Sequence, residues 1–168
     1  MTDTRTSTAQ LGQNGEDAAV GFLANLGYRI VERNWRPRAA SGSACKSSAE
    51  KSGLSEKKGR RGAARDNTMR GEIDCIAWEG RILCFVEVKT RSSSTRGAPQ
   101  EAVTRAKQRQ LSRLANAYVS TCELSDTPCR FDVVEVVWPG GEAAPQITLS
   151  GNAFDYIETG NGLSRHGA

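Results

Sequence analysis

The segment GEIDCIAWEGRILCFVEVKTR, residues 71–91, determines which fold the chain can adopt. It contains two apolar runs separated by Glu79 and Gly80, a pair that predicts a tight turn between two antiparallel strands. The second run nevertheless carries Glu87 and Lys89 near its end. A charge in a buried strand costs several kcal/mol unless it is paired, binds a metal or faces a cleft. We therefore expect an ion pair, a bound metal or a cleft to compensate the charges of Glu87 and Lys89.

Alternation of side chains across a strand places Glu87 and Lys89 on the same face. If the turn is two residues long and formed by Glu79 and Gly80, Asp74 lies opposite Phe85 and diagonal to Glu87, at about 7–8 Å. Glu72 would then lie directly opposite Glu87 and compete as a ligand. Two carboxylates at this distance can share a hard cation such as Mg²⁺, while a neighbouring lysine orients the nucleophile or adds charge for a phosphate. An edge hairpin with ordinary surface salt bridges remains the alternative.

The other segments predict a mixed α/β sheet flanked by helices. Apolar residues at helical spacing predict two helices, and Gly27 is expected to end the first. Alternating apolar residues predict the strands. The predicted helices are Leu11–Leu26 and Gln100–Thr121, and the predicted strands are Tyr28–Trp35, Ile73–Trp78, Arg81–Thr90, Arg130–Trp138 and a short Gln146–Leu149.

Positive charge is concentrated in one polar segment. The 168-residue chain has a net charge of +4, and nine of its basic residues, against three acids, lie between Arg38 and Arg70. Because this stretch is rich in Ser, Gly, Ala and Lys, we expect a single domain over residues 1–158, interrupted by a basic low-complexity loop at 38–69, and a flexible tail at 159–168. The loop either binds a phosphate backbone or is a tolerated surface insertion.

The sequence disfavours several classes of protein. His166, the only histidine, is the third residue from the end, so histidine-dependent hydrolysis and histidine-bound zinc are disfavoured. No run approaches the roughly 18 apolar residues of a membrane span, and the first residues do not have the pattern of a secretory signal. We therefore expect a cytoplasmic location.

With these residues in view, the sequence resembles the YraN-type family of uncharacterised bacterial proteins. That family is similar to the PD-(D/E)xK nucleases, a superfamily with a restriction-endonuclease-like fold that includes Holliday-junction resolvases. The chain differs from the family in one place. About 33 residues lie between Arg36 and Arg70, where the family has a short connection. The matching segments are GEDAA (15–19), LGYRIVERNWR (26–36), GEIDCIA (71–77), FVEVKTR (85–91), AVTRAKQRQLSRLANAYV (102–119), CRFDVVEV (129–136) and NAFD (152–155).

The resemblance implies a nuclease-like protein that uses Mg²⁺ or Mn²⁺ to hydrolyse phosphodiester bonds in nucleic acid, with DNA favoured over RNA. It leaves the oligomeric state open, with a homodimer as one alternative. A non-catalytic nucleic-acid-binding module with a vestigial site and a protein-interaction domain are the competing interpretations, since a fold does not establish an activity. The implied site consists of Asp74 and Glu87 as catalytic and metal-binding acids, Glu16 as a further metal ligand, Lys89 as the catalytic lysine, and Lys107 and Gln108 as substrate-binding residues.

Overall fold

The computed structural model describes residues 8–37, 69–92, 103–138 and 143–158. Nearly all of the predicted basic loop at 38–69 and all of the predicted tail at 159–168 lie outside these ranges. The elements in chain order are α1 (Thr8–Asn25), β1 (Arg29–Trp35), β2 (Ile73–Glu79), β3 (Ile82–Arg91), α2 (Arg105–Thr121), β4 (Cys129–Val137) and β5 (Gln146–Phe154).

The five strands form one sheet in the order β1-β2-β3-β4-β5. Strand β3 runs parallel to β4, and the other neighbouring pairs are antiparallel. A parallel pair needs a crossover connection, and α2 lies within the one that joins β3 to β4. The predicted α/β class, a restriction-endonuclease-like mixed sheet flanked by helices, is confirmed.

The two helices pack on opposite faces of the sheet. Alternate residues of the central strands contact α1, and the residues between them contact α2. The α1 side contains Ala19, Leu23, Cys75, Ala77, Cys84, Val86, Val134 and Val136. The α2 side contains Ile76, Leu83, Phe85, Leu111, Leu114, Tyr118, Phe131 and Val133. Strand β3 is buried on both faces, which explains its nearly continuous apolar sequence.

Helix α1 ends at the glycine that the sequence singled out. Gly27 has φ of 91°, its N–H donates to the carbonyl of Ala24, and the N–H of Tyr28 donates to that of Leu23. This pair of bonds is the Schellman arrangement, which satisfies carbonyls left open at a helix end and needs a residue in the left-handed region. The prediction for Gly27 is therefore confirmed, and the turn directs the chain into β1.

The hairpin turn lies one residue later than the sequence predicted. Glu79 pairs with Ile82, so Gly80 and Arg81 form the turn, and Gly80 takes the positive φ of 56° that such a turn requires. The predicted register is therefore wrong by two residues, because Phe85 lies opposite Ile76 and not opposite Asp74. A shift of two residues keeps every side chain on its predicted face but changes its neighbour.

Helix α2 begins later than the predicted Gln100. Thr104 is the N-cap, and its hydroxyl accepts from the N–H of Lys107, which places the start of the helix at Arg105. Ala106 is exposed. The buried residues are Leu111, Ser112, Leu114, Ala115, Tyr118 and Val119. Strand β5 is longer than predicted and includes Asn152, Ala153 and Phe154.

In the described ranges, no helix combines the length and the apolar character needed to span a membrane.

The position of α1 on the sheet depends on a glycine. Gly15 is buried, and a Cβ atom at this residue would collide with the Thr90 side chain of β3. Only a residue without a side chain allows the first half of α1 to approach β3 this closely. The next residue, Glu16, is thereby placed beside the end of β3.

We expect Gly15→Ala to lower the free energy of unfolding by about 1–3 kcal/mol, because the added methyl group forces α1 away from β3. Gly21→Ala is the matched control: it lies in the same helix, is exposed and meets no atom within 4 Å. Alanine there should stabilise the helix by up to about 1 kcal/mol. Urea unfolding of both variants measures the difference, and equal effects at the two positions would contradict the close approach.

Candidate carboxylate–lysine site

Glu87 is the central residue of the site. Its side chain is 3% exposed, near the end of β3, and two ammonium groups contact it. Lys89 Nζ donates to Glu87 Oε1 at 2.7 Å. Lys107 Nζ lies 3.0 Å from Glu87 Oε2 as an ion pair without hydrogen-bond geometry. The compensation that the sequence demanded is thus present within the protein, from one lysine on the same strand and one on α2.

Asp74 completes a pair of carboxylates. Continuing the β2–β3 register by one residue places Asp74 directly across from Glu87 and not on the predicted diagonal. The Cβ atoms of residues directly across from each other are about 4.5–5.5 Å apart. Asp74 Oδ2 accepts a 2.7 Å hydrogen bond from the N–H of Val88. Burial and the charge of Glu87 nevertheless raise the pKa of Asp74 to about 7. The hydrogen bond and the charge of Lys107 oppose this rise only in part.

Glu16 reaches the same region from the helix on the other face. Its charge contributes, as a smaller cause, to the raised pKa of Asp74. Glu16 Oε2 is buried and has no hydrogen-bond partner among the described residues. A buried carboxylate oxygen without a partner is rare, because its desolvation is not offset. Glu16 is therefore the carboxylate of this region that a bound ligand would stabilise most.

Of the other predicted residues, Lys89 and Lys107 lie at the site and Gln108 lies outside it. Lys107 contacts Glu87, as described above, and Lys89 and Lys107 keep 31% and 27% of their side chains exposed. Each lysine can therefore turn from Glu87 towards solvent or an anion. Gln108 is not brought to the carboxylates, because its Nε2 donates to the carbonyl of Val103 at the start of α2. Its predicted role in substrate binding stays a prediction.

Glu72 is not the competing ligand that the predicted register suggested. Its Oε2 accepts two hydrogen bonds from Arg36, at 2.9 and 2.6 Å, and its side chain is 36% exposed. The two-residue correction moves Asp74, rather than Glu72, opposite Glu87. Glu72 thus forms a surface ion pair with Arg36.

The donor set fits a hard divalent cation. Asp74 and Glu87 offer neighbouring carboxylate oxygens, and Mg²⁺ is commonly held by one or two carboxylates with water and phosphate completing its coordination. The described residues contain no group of three or more Asp, Glu, Cys or His side chains already gathered around one point. Glu16 would therefore have to turn its free oxygen inward to become a third ligand. The predicted Mg²⁺ or Mn²⁺ site remains a prediction on this basis.

One supporting contact was not anticipated from sequence. Gln110 on α2 donates through Nε2 to the carbonyl of Arg70, just before β2 begins. Gly71 has φ of 120°, and a Cβ atom there would collide with the Gln110 amide. Helix α2 thus holds the start of the strand that carries Asp74. The glycine before Glu72 was the available signal, but nothing in the sequence indicated its partner.

A buried polar network on the α1 side was also missed. Asp132 on β4 is fully buried and accepts hydrogen bonds from the hydroxyl of Tyr28, from Arg130 and from the N–H of Asn152. Arg130 also donates to the Tyr28 hydroxyl and pairs with Glu79. Both carboxylate oxygens of Asp132 have partners, so the network joins the turn after α1 to β4 and β5. Only the pattern RFD in an apolar strand hinted at it.

An open cleft of about 820 Å³ lies elsewhere, between the C-terminal end of α2, the start of β4 and the end of β5. Phe131, Phe154, Tyr156 and Asp126 are among its lining residues. None of the predicted site residues lines it. The candidate site is at the carboxylates rather than in this cleft, because three acids and two lysines gather at the carboxylates and burial raises the pKa of Asp74.

The fold and site define an α/β protein of restriction-endonuclease-like architecture with a carboxylate–lysine site at a strand end. A sequence profile described as "Uncharacterised protein family UPF0102" matches residues 52–136. The chain belongs to this family, which corresponds to the YraN-type family resembled by its motifs.

Relatives of similar length support the assignment. UPF0102 protein STH1475 of Symbiobacterium thermophilum is 41% identical over 145 residues, covering 86% of this chain and 96% of the relative. A UPF0102 protein of Caldicellulosiruptor saccharolyticus is 38% identical over 145 residues, covering 86% and 97%. UPF0102 protein Cphamn1_0017 of Chlorobium phaeobacteroides is 40% identical over 127 residues, covering 76% of each chain.

Asp74→Asn should stabilise the protein at high pH when chelator is present. The folded pKa of about 7 lies above the ordinary value of 3.8. The fold therefore favours the protonated carboxyl, and wild-type stability falls as pH rises from about 4 through 7. The asparagine variant escapes this loss, with a gain of about 1–4 kcal/mol at pH 8 and little change at pH 4.

Urea unfolding at pH 4, 6 and 8 measures this effect. Glu72→Gln, which removes one acid from an exposed ion pair, controls for the change in net charge. If Asp74→Asn is no more stable than wild type at pH 8, the charged Asp74 is well accommodated by the fold.

Proposed function

We propose that this protein is a divalent-metal-dependent nuclease that hydrolyses phosphodiester bonds in nucleic acid at the Asp74–Glu87 site. The observation that carries the proposal is the pairing of two carboxylates with two lysines at the end of one buried strand pair. A purely structural ion pair needs one acid and one base. The second acid, held across from the first and destabilised by it, accepts a hydrogen bond from the Val88 N–H, but this bond does not offset the rise in its pKa.

The roles follow from the positions of the groups. Asp74 and Glu87 would hold Mg²⁺ or Mn²⁺, with Glu16 as a third donor. Such an ion supplies a nucleophile from water at neutral pH and stabilises charge on the phosphate. Lys89, once released from Glu87, can orient the attacking water or neutralise the phosphate. Lys107 can bind a phosphate oxygen from the α2 side.

The protonation of Asp74 affects ligand binding. A carboxyl with a pKa of about 7 is partly protonated at neutral pH, and a cation must displace that proton. Apparent metal affinity should therefore decline as pH falls below about 7. This behaviour suits a site that binds its ion weakly and together with substrate.

A non-catalytic nucleic-acid-binding module is the second candidate. It is favoured by the contact of both lysines with Glu87, since this arrangement is electrostatically complete without a metal. In that case Asp74 would be a remnant whose ionisation only destabilises the fold. Cleavage assays separate the two candidates.

The proposal predicts metal-dependent cleavage that requires three residues. Wild-type protein, incubated with Mg²⁺ or Mn²⁺ and labelled linear and branched DNA and RNA, should cleave at least one substrate. Asp74→Asn, Glu87→Gln and Lys89→Met should each reduce cleavage by at least about a hundredfold, which is the usual effect of removing a catalytic group.

Calorimetry distinguishes the roles in this prediction. Glu87→Gln should lose detectable Mn²⁺ binding, whereas Lys89→Met should keep it, because the lysine supplies charge and not a ligand. Glu72→Gln is the control and should match wild type in both assays. Cleavage that survives in Glu87→Gln would assign the activity to a contaminant or another site.

Lys107 should oppose metal binding and favour substrate. Because its ammonium group contacts the carboxylate that would hold the cation, Lys107→Met should raise Mn²⁺ affinity at pH 8 by about tenfold. Nucleic-acid affinity in chelator should fall at the same time. Lys107→Arg keeps the charge and should leave metal affinity within about twofold of wild type. Weaker Mn²⁺ binding by Lys107→Met would mean that Lys107 instead holds Glu87 in position for the ion.

A further inference from the structure

Helix α2 has an unusual distribution of charge. Its sequence, RAKQRQLSRLANAYVST, contains four basic residues and no acid. Lys107 is directed at Glu87, while Arg105, Arg109 and Arg113 are exposed. None of these three arginines pairs with an acid in the part of the chain that the structure describes. We call Arg105, Arg109 and Arg113 the arginine row.

The arginine row lies along one side of the helix. Residues four apart are neighbours on a helix surface, and each step of four advances about 6 Å along the axis. The row is therefore about 12 Å long. The opposite side of α2 packs on the sheet through Leu111, Leu114 and Tyr118. The arginines thus form a ridge that faces away from the core.

This arrangement is unfavourable for the isolated protein. Like charges four residues apart destabilise a helix by about 0.2–0.5 kcal/mol per pair. Basic residues in the first turn also oppose the helix dipole, which favours acids at that end by about 0.3–1 kcal/mol. Arg105 and Lys107 both occupy the first turn, which contains no acid, and of the two only Lys107 is paired with an acid elsewhere. An anionic ligand along the helix would remove both penalties.

The row and the carboxylate–lysine site lie on opposite sides of the first turn of α2. Residues two apart on a helix do not face each other, so Arg105 points away from the sheet while Lys107, whose Nζ contacts Glu87, points towards it. A polyanion bound to the row therefore lies along the outer side of the helix. Its repeating charges match cations spaced regularly along a rod, whereas a single phosphate or a small anion would use only one of them.

We propose that the arginine row is a docking surface for the phosphate backbone of nucleic acid, on the outer side of the helix that supplies Lys107 to the Glu87 site. The identity of the polyanion rests on the proposed function. The row itself is a feature of the folded chain and does not depend on the residues between 38 and 68. Three arginines can neutralise about three phosphates, each of which contributes about −0.9 to the salt dependence of duplex DNA binding.

The test measures binding without cleavage, in chelator, by fluorescence anisotropy at several salt concentrations. The probes are one duplex DNA, the corresponding single strand and the corresponding duplex RNA. Replacing all three arginines of the row with Gln, which has a similar helix propensity, should weaken the binding of the preferred probe at least tenfold. The slope of log affinity against log salt should become shallower by about two to three units on a duplex.

A second triple variant controls for the loss of net charge. Arg29→Gln, Arg33→Gln and Arg81→Gln remove three exposed arginines from β1 and the hairpin turn. This variant should keep most of the affinity and the wild-type slope. Equal weakening by the two triple variants would overturn the proposal, because only overall charge would then matter. Unchanged binding by the α2 variant would overturn it as well.

The outcomes also separate this inference from the proposed function. Glu72→Gln should bind the probes as well as wild type in chelator, because it retains both the row and the carboxylate–lysine site. If wild type cleaves nucleic acid and the variant without the arginine row binds the probes normally, the docking proposal is wrong and the nuclease proposal stands. If wild type binds no probe, the nucleic-acid partner is wrong and both proposals fall. Thermal unfolding of each variant confirms that it is folded.

Discussion

The burial of the Glu87 carboxylate is the constraint on which the rest of the structure depends. Glu87 lies near the end of a strand that is covered on both faces, and removing one partner of such a buried ion pair costs about 3–5 kcal/mol. Lys89 on its own strand and Lys107 on α2 supply the charge that makes this burial tolerable. The first turn of α2 must therefore lie above the end of β3, and the helix crosses the sheet from that point.

Around Glu87 and its two lysines, other groups carry electrostatic costs that the fold does not require. Asp74 faces Glu87 although burial and the repulsion between the two carboxylates raise its pKa to about 7. Glu16 keeps a buried oxygen without a partner among the described residues, and α2 gathers cations at the end where its dipole disfavours them. Costs of this kind commonly accumulate at functional sites, where stability is exchanged for binding or catalysis.

The network around Asp132 is an informative contrast. Asp132 is as deeply buried as Glu87, and it also lies on a central strand. Tyr28, Arg130 and the backbone of Asn152 satisfy both of its oxygens, and the network links a helix end to two strands. A fully satisfied buried acid contributes to rigidity and specificity of the fold. Burial alone therefore does not distinguish Asp132 from Asp74 and Glu16; incomplete compensation of the latter two carboxylates does.

The sequence by itself determined the elements, their order and the face on which each hairpin side chain lies. Local physics is sufficient for these, because alternation has a period of two, helical spacing has a period of 3.6, and Gly27 is the residue that a helix end requires. The choice between Glu79-Gly80 and Gly80-Arg81 as the turn was different, because both registers keep every side chain on the same face. The structure has the turn at Gly80-Arg81, which moved the partner of Glu87 from Glu72 to Asp74. The contact of Lys107 with Glu87, the approach of Gly15 to Thr90 and the Asp132 network join residues far apart in the chain. Only the packing of α1 and α2 on opposite faces of the sheet decided them, because long-range neighbours follow from the whole set of packed surfaces and not from any one segment.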